Sequence, residues 1–395
     1  MRSISPAAVP VTVPADETPR VTRYAIVGNG WRASVFLRMA YLMPERFQVT
    51  GVVTRRAEAG VQLETDWGVP TYRTIDEALT AAPDFVVLSV PWAVTPELIR
   101  QLVAAGVPTL AETPPAPGLA EMRSLWEDVG ASGLVQVAEQ YALMPLHAAR
   151  IQLVRDGLIG TPTSVQVSST HLYHVVSLIR QFLGAGFEPA RVRSQTFDGP
   201  LVDPITPTGW TNDTEPKTAR TILSTLDFGT AGMGLYDFTD NQWWNPLRPD
   251  HLTVRGSHGE IQDDTVVRML DATTPATSRL ERVTTGTGMN YEGLDLTHLT
   301  FEGRVVFRNP YRGVGLSDDD IAVATLLDRT GAWVRGDGPP PYPLAEACQD
   351  HLIGLAIDES AERAEPVATT HEPWAGQKSG TGSQGEDKEQ RKEEI

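Results

Sequence analysis

Tyr24-Ala25-Ile26-Val27-Gly28-Asn29-Gly30-Trp31-Arg32-Ala33 is the stretch that decides the fold. Four apolar residues run into a turn of the form G-x-G-x-x-A. A second apolar run, Phe47 to Val53, follows at the distance one βαβ unit requires. Gly28 permits a tight turn out of the strand, Gly30 lets a pyrophosphate approach the backbone, and Ala33 lets the next helix lie against the sheet. The turn as a whole, Asn29, Trp31 and Arg32 included, delivers a helix N-terminus whose free N–H groups suit an anion. Such a turn alone is a weak signal; after a strand and inside a full βαβ unit it predicts a dinucleotide site.

Outward from this unit the alternation continues. The pattern predicts helices over 75–82, 96–105 and 118–130, and strands over 85–90, 107–111 and 134–138. Strands alternating with amphipathic helices imply an α/β, doubly wound parallel sheet of Rossmann type. Ligands bind beyond the carboxyl ends of such strands. That rule selects Gly28 to Ala33, Thr54 to Arg56, Pro91-Trp92, Glu112-Thr113 and Glu139-Gln140-Tyr141.

The texture changes after Tyr141. Helices are expected over 145–156 and 172–183, and a strand over 163–169. Alternating, strand-like segments then dominate from Val192 to Phe307, and a last helix covers 344–361. This reads as an α+β unit with a large, mostly antiparallel open sheet. The expected organisation is a disordered leader over 1–20, a nucleotide-binding domain over 21–141, a substrate and oligomerisation domain over 142–370, and an acidic tail over 371–395. From Gly376 onward the tail has no aromatic residue and one aliphatic one, too little apolar surface to offset its ordering entropy.

Bulk properties exclude other classes. At 395 residues with 41% hydrophobic and 21% charged content, the chain can hold two proper cores. Its net charge of −17 repels nucleic acid and anionic membrane. The single cysteine, Cys348, rules out an internal disulfide framework and a multi-cysteine metal site. Residues 1–19 lack the apolar core of a signal peptide, and no apolar run is long enough to span a bilayer, so a cytoplasmic location is expected.

The layout over Thr22 to Val367 resembles the Gfo/Idh/MocA family of glucose–fructose oxidoreductase and inositol dehydrogenase relatives. The turn at 28–33 carries the likeness, as do Ala104 to Pro114, Leu153 to Gly160, His174 to Gly184 and Gly256 to Ile261. The resemblance implies an NAD(P)-dependent oxidoreductase. It places His174 toward the nicotinamide and Glu112 beside the cofactor, at the ribose or the backbone. The departures are as informative. The family's usual lysine falls on Thr113, its active-site aspartate on Thr170 and its helix aspartate on Ser177; its "N..H" after the fourth strand becomes Trp92 and Thr95. Outside the tail the only lysine is Lys217. Alcohol oxidation in this family relies on the lysine to share the proton, and threonine cannot do that.

His174 is therefore the candidate proton donor or acceptor, aided by Tyr173 or Thr113. Val175, Leu178, Ile179 and Phe182 share the helix face opposite His174, Ser177 and Gln181. Tyr141, Thr170, Ser177 and Trp243 are candidate substrate contacts. Adjacent residues of a strand face opposite ways, so at most one of Trp243 and Trp244 should line a cleft. Arg180 reads as a structural ion pair. No metal site is expected, because His171 and His174 have no carboxylate or thiol at useful spacing. Thr54-Arg55-Arg56 follows the second strand with no acid to repel a 2′-phosphate, which favours NADP(H) over NAD(H).

The expected activity is hydride transfer to or from a small carbonyl, sugar-like or imine compound. A catalytically silent nucleotide-binding relative, acting as sensor or partner subunit, is the alternative. A homodimer or homotetramer through the second domain's sheet is expected.

Overall fold

The computed structural model describes residues 20–206, 208–286, 289 and 291–376. The expected leader, apart from Arg20, and the tail from residue 377 lie outside these residues.

Strand β1 (Thr22–Val27) leads into α1 (Trp31–Leu42), β2 (Phe47–Val53), α2 (Ala57–Trp67), β3 (Thr71–Tyr72), α3 (Ile75–Leu79), β4 (Phe85–Leu88), α4 (Thr95–Ala104), β5 (Thr109–Ala111), α5 (Leu119–Val129) and β6 (Val135–Val137). The six strands form one parallel sheet in the order β3-β2-β1-β4-β5-β6. Helices cover both faces, so these strands are buried almost throughout, β4 at every residue. The order reverses between β1 and β4, which opens a crevice at their carboxyl ends. Gly28 sits at this point with φ +115°, and a Cβ there would lie 1.9 Å from the Ser89 carbonyl oxygen. Both the turn and the close approach therefore require glycine.

The second half contains α6 (Pro145–Arg155), β7 (Pro162–Ser168), α7 (Leu172–Leu183), β8 (Arg191–Leu201), the short pair β9 (Ile205–Thr206) and β10 (Gly209–Trp210), β11 (Lys217–Asp227) and β12 (Met233–Thr239). Next come β13 (His251–Gly256), β14 (Gly259–Gln262), β15 (Thr265–Asp271), β16 (Thr274–Thr285), β17 (Asp295–Phe301), β18 (Arg304–Arg308), α8 (Asp318–Arg335), α9 (Leu344–Arg363) and β19 (Val367–Ala368). Eleven strands form a sheet in the order β18-β17-β16-β15-β14-β13-β7-β12-β11-β8-β19. Every pairing is antiparallel except β7 with β12. The apolar side of α7 packs on this sheet, and Val175, Leu178, Ile179 and Phe182 join Val165, Val167 and Leu226 in one core.

Helix α8 goes unread in the sequence pattern, although its ends are well marked. Ser317 and Asp320 form a reciprocal capping box, and Gly336 closes the helix in the left-handed region. The boundary of the tail also needs correction. Residues 371–376 pack on the first sheet's helices: Trp374 is fully buried beside Trp126 and donates to Gln349, while Glu372 pairs with Arg123 at 2.7 Å. An indole of that size recovers its ordering entropy through buried area. No helix among the described residues is long and apolar enough to cross a membrane.

Candidate active site

The glycine turn fits a dinucleotide. Asn29 and Gly30 are exposed, a Cβ on Gly30 would meet nothing within 4 Å, and no side chain caps α1, whose first turn has no acid. The first N–H groups of α1 are thus free to receive a phosphate. Ala33 is buried against the sheet as expected, and Trp31 projects into solvent at 77% exposure. Arg32 turns away from the loop: its Nε is 2.7 Å from Glu112 Oε1, and Nη1 is 3.8 Å from Asp319 on α8. The Glu112 carboxylate is engaged by this arginine, where a ribose contact was one expectation. Pro91 and Trp92 stand exposed just past β4.

At the carboxyl end of β2, Thr54 is buried while Arg55 and Arg56 are exposed. A third cation joins them. Arg73, following β3, donates to the Thr54 carbonyl at 3.4 Å and to the Tyr72 carbonyl at 3.1 Å. Parallel pairing of β2 with β3 brings it there. At Gly60 a Cβ would come within 2.6 Å of its guanidinium, so the glycine leaves that room.

The proton-handling candidates meet at the head of α7. His174 is 9% exposed, and its Nδ1–H donates to Glu139 Oε2 at 2.5 Å. Glu139 follows β6 and is 3% exposed. The imidazole lies between the Tyr141 and Tyr173 rings, with centroids 4.6 and 4.5 Å away. Burial pushes the Tyr173 phenol well up, while its hydrogen bond with Thr113 opposes this. Burial likewise pushes Tyr141 up to about 12, against a hydrogen bond with Thr170. Both hydroxyls are therefore hydrogen-bonding groups and poor proton sources. Burial, reinforced by nearby His174, pushes His171 down to about 3, so this ring is neutral. Its buried Nδ1 has no partner.

A wall of rings continues from this point. His171 contacts Trp243 at 4.7 Å, Trp243 contacts Phe238 at 4.6 Å, and Trp243 and Trp244 are 5.5 Å apart. The two tryptophans lie on a single 3₁₀ turn, Gln242–Trp244, and both are part-exposed. The strand-based expectation that they face opposite ways is therefore corrected. Trp243 Nε1 is 3.5 Å from the Thr170 hydroxyl. Ser177 does not face the crevice: it is fully buried and donates to the His174 carbonyl at 2.9 Å. That correction follows from burial around almost the whole circumference of α7, which leaves the hydroxyl only a backbone partner. Arg180 is also buried, held by Asp350 and Glu346 at 2.5 and 2.7 Å.

Residues 22–139 match the family model for Gfo/Idh/MocA, an oxidoreductase family with an NAD-binding Rossmann fold. Residues 22–139 are a nucleotide-binding domain of the Gfo/Idh/MocA type. Solved structures agree at the level of fold. A levoglucosan dehydrogenase in complex with NADH and levoglucosan superposes with TM-score 0.64 at 16% identity, over 88% of this chain and 99% of that one. A myo-inositol dehydrogenase from Corynebacterium glutamicum gives 0.61 at 17% identity, over 89% and 99%. An oxidoreductase from Agrobacterium radiobacter, in complex with NAD+, L-tartaric acid and magnesium, gives 0.61 at 15%, over 88% and 98%. No curated protein matches the sequence.

The structure gathers His174, Tyr173, Thr113, Tyr141 and Thr170 into one cluster, with Trp243 against Thr170. Sequence reasoning missed Arg73 and Asp319 as members of the two sites, and the pairing of Glu139 with His174. The strand-end rule picks out Glu139 itself but not its partner. Arg73 and Asp319 gave no signal. Lys217 pairs with Asp213 at 2.9 Å in an exposed position, so it supplies no ammonium to a buried site.

Proposed function

We propose that the chain is an NADP(H)-dependent reductase of a C=O or C=N bond in a small, ring-bearing compound, with His174 as proton donor. The observation that carries the reading is the position of His174, tied through Glu139 to the carboxyl end of the parallel sheet, where a dinucleotide belongs in this fold. The glycine turn and the N-terminus of α1 would hold the diphosphate, and Thr54, Arg55, Arg56 and Arg73 would hold a 2′-phosphate. When bound, the reduced nicotinamide supplies a hydride to the substrate carbon.

The protein's own part is proton supply and orientation. His174, as the imidazolium, gives its Nε2 proton to the oxygen or nitrogen that gains negative charge as its carbon takes the hydride, and is left as the neutral ring with Nδ1–H on Glu139. Tyr173 and Tyr141 contribute hydrogen bonds. Reduction suits this set better than oxidation of an unactivated alcohol, which needs a base such as the missing lysine. His171, Phe238, Trp243 and Trp244 offer stacking faces and few donors, which favours a planar or cyclic substrate over an open polyol.

Fluorescence titration with NADPH and NADH tests the cofactor, followed by a screen of cyclic carbonyl and imine compounds for NADPH consumption. His174→Ala should lower turnover on the order of 10²-fold or more while nucleotide affinity stays within about twofold. Full turnover in that variant would remove His174 from the chemistry. Binding of NADPH with no hydride transfer to any compound would favour a sensor or partner subunit. The open face of the eleven-stranded sheet, with Phe197 52% exposed on it, would join two or four copies; light scattering on the purified protein decides this.

A further inference from the structure

We propose that Glu139 is the positioning residue for His174, fixing which imidazole nitrogen carries the proton toward the crevice. The proposal rests on the reading of His174 as proton donor and adds a residue to it. Glu139 leaves β6 almost fully buried, and its two oxygens are both assigned. Oε2 accepts from His174 Nδ1 at 2.5 Å, and Oε1 accepts the Tyr141 N–H at 3.2 Å. The second bond is local and holds the carboxylate in place; the first reaches across to α7.

A carboxylate can only accept, so Nδ1 must bear hydrogen whenever the pair is formed. Nε2 is then the nitrogen left for chemistry, and no protein group among the described residues takes it. The rings of Tyr141 and Tyr173, at 4.6 and 4.5 Å, prevent the imidazole from tipping out of this plane. Thr170 offers no carboxylate, and its hydroxyl is occupied by Trp243 and Tyr141. Glu139 is thus the acid that orients the ring, and it arrives from another sheet 35 residues earlier in the chain. Carboxylate-held imidazoles of this kind depend on tautomer as much as on charge, because a ring protonated on the wrong nitrogen cannot exchange a proton with the substrate.

The test uses the full chain labelled with ¹⁵N-histidine, the His174 resonances being assigned by their loss in His174→Ala. Wild-type protein should show Nδ1 protonated across the accessible pH range. Glu139→Gln, whose amide can donate to Nδ1, should move the neutral ring to the Nε2–H form. Its kcat should fall on the order of 10²-fold, with NADPH affinity within twofold. Glu139→Asp should keep the wild-type tautomer and recover kcat to within about tenfold. A wild-type ring protonated at Nε2 alone overturns the proposal without recourse to any variant, as does wild-type kcat in Glu139→Gln. Failure of the wider reading looks different. A fully active His174→Ala enzyme would remove the proton role, while the ¹⁵N signals of the pair would still report Glu139's hold on the ring.

Discussion

From Tyr24 to Ala33 the nucleotide turn is made by consecutive residues, whereas the His174 site draws Glu139 and Tyr141 from the end of β6, Thr170 to His174 from the head of α7, and Trp243 from a turn after β12. The first is mainly backbone: a glycine at 28 that a Cβ would drive into the Ser89 carbonyl, an open glycine at 30, and helix amides with no cap. The second is almost wholly side chain, held by rings and one buried carboxylate. A backbone site can be written in a short motif, because its geometry follows from φ, ψ and the absence of Cβ. A side-chain site exists only after two sheets have packed.

Four measurements put this contrast at risk. The largest effect is expected from Gly28→Ala. Its methyl would overlap the Ser89 carbonyl at a φ of +115°, so stability should drop by about 4 kcal/mol, combining overpacking and backbone strain. Urea denaturation reads it, and a loss under about 1 kcal/mol would mean the turn is less constrained than described.

Next in size is the acid response of a buried histidine away from either site. Burial, reinforced by the Arg150 guanidinium, pushes His147 down to about 3 from its ordinary 6.5. The unfolded chain therefore takes up the proton more readily. This histidine's contribution is intact above about pH 6.5 and is lost as pH falls toward 3. His147→Gln should flatten the stability profile in that window. An unchanged slope would contradict the burial.

Gly30→Ala separates ligand from fold. Its methyl meets no protein atom, so stability should change by about 1 kcal/mol or less, while NADPH affinity falls about tenfold or more. Equal affinity would show that no ligand approaches the turn there. The smallest effect belongs to Arg73→Ala, which should weaken NADPH about three- to tenfold and leave NADH unchanged. Equal losses for both nucleotides would return the arginine to a structural role.

How far the sequence carries follows the same division. The βαβ unit, the strand alternation and the bounds of α7 could be read directly, since each depends on local pattern. His174 was visible only through resemblance. Its carboxylate partner was not, because nothing in the spacing of Glu139 and His174 says that β6 and α7 meet. Ser177 misled for a related reason: a polar residue on a helix predicts a wet face unless a second layer covers it, as α9 does here. Trp243 and Trp244 misled because a 3₁₀ turn interrupts what reads as strand. Arg73 and Asp319 enter their sites through parallel pairing and through a helix crossing, and neither is a property of neighbouring letters.

The burial of Tyr342, Leu344, Cys348, Leu352 and Trp374 in the same cluster as Val27, Leu88 and Met122 bears on how the protein is made. One side of the first sheet receives its cover from residues 342–374, which are synthesised about two hundred residues after the sheet itself. Until then the newly emerged amino-terminal half carries an unsheltered oily flank, which exposes it to aggregation and to chaperone capture. Ribosome-stalled chains ending before Tyr342 should accordingly be more protease-sensitive than chains that extend well past Trp374.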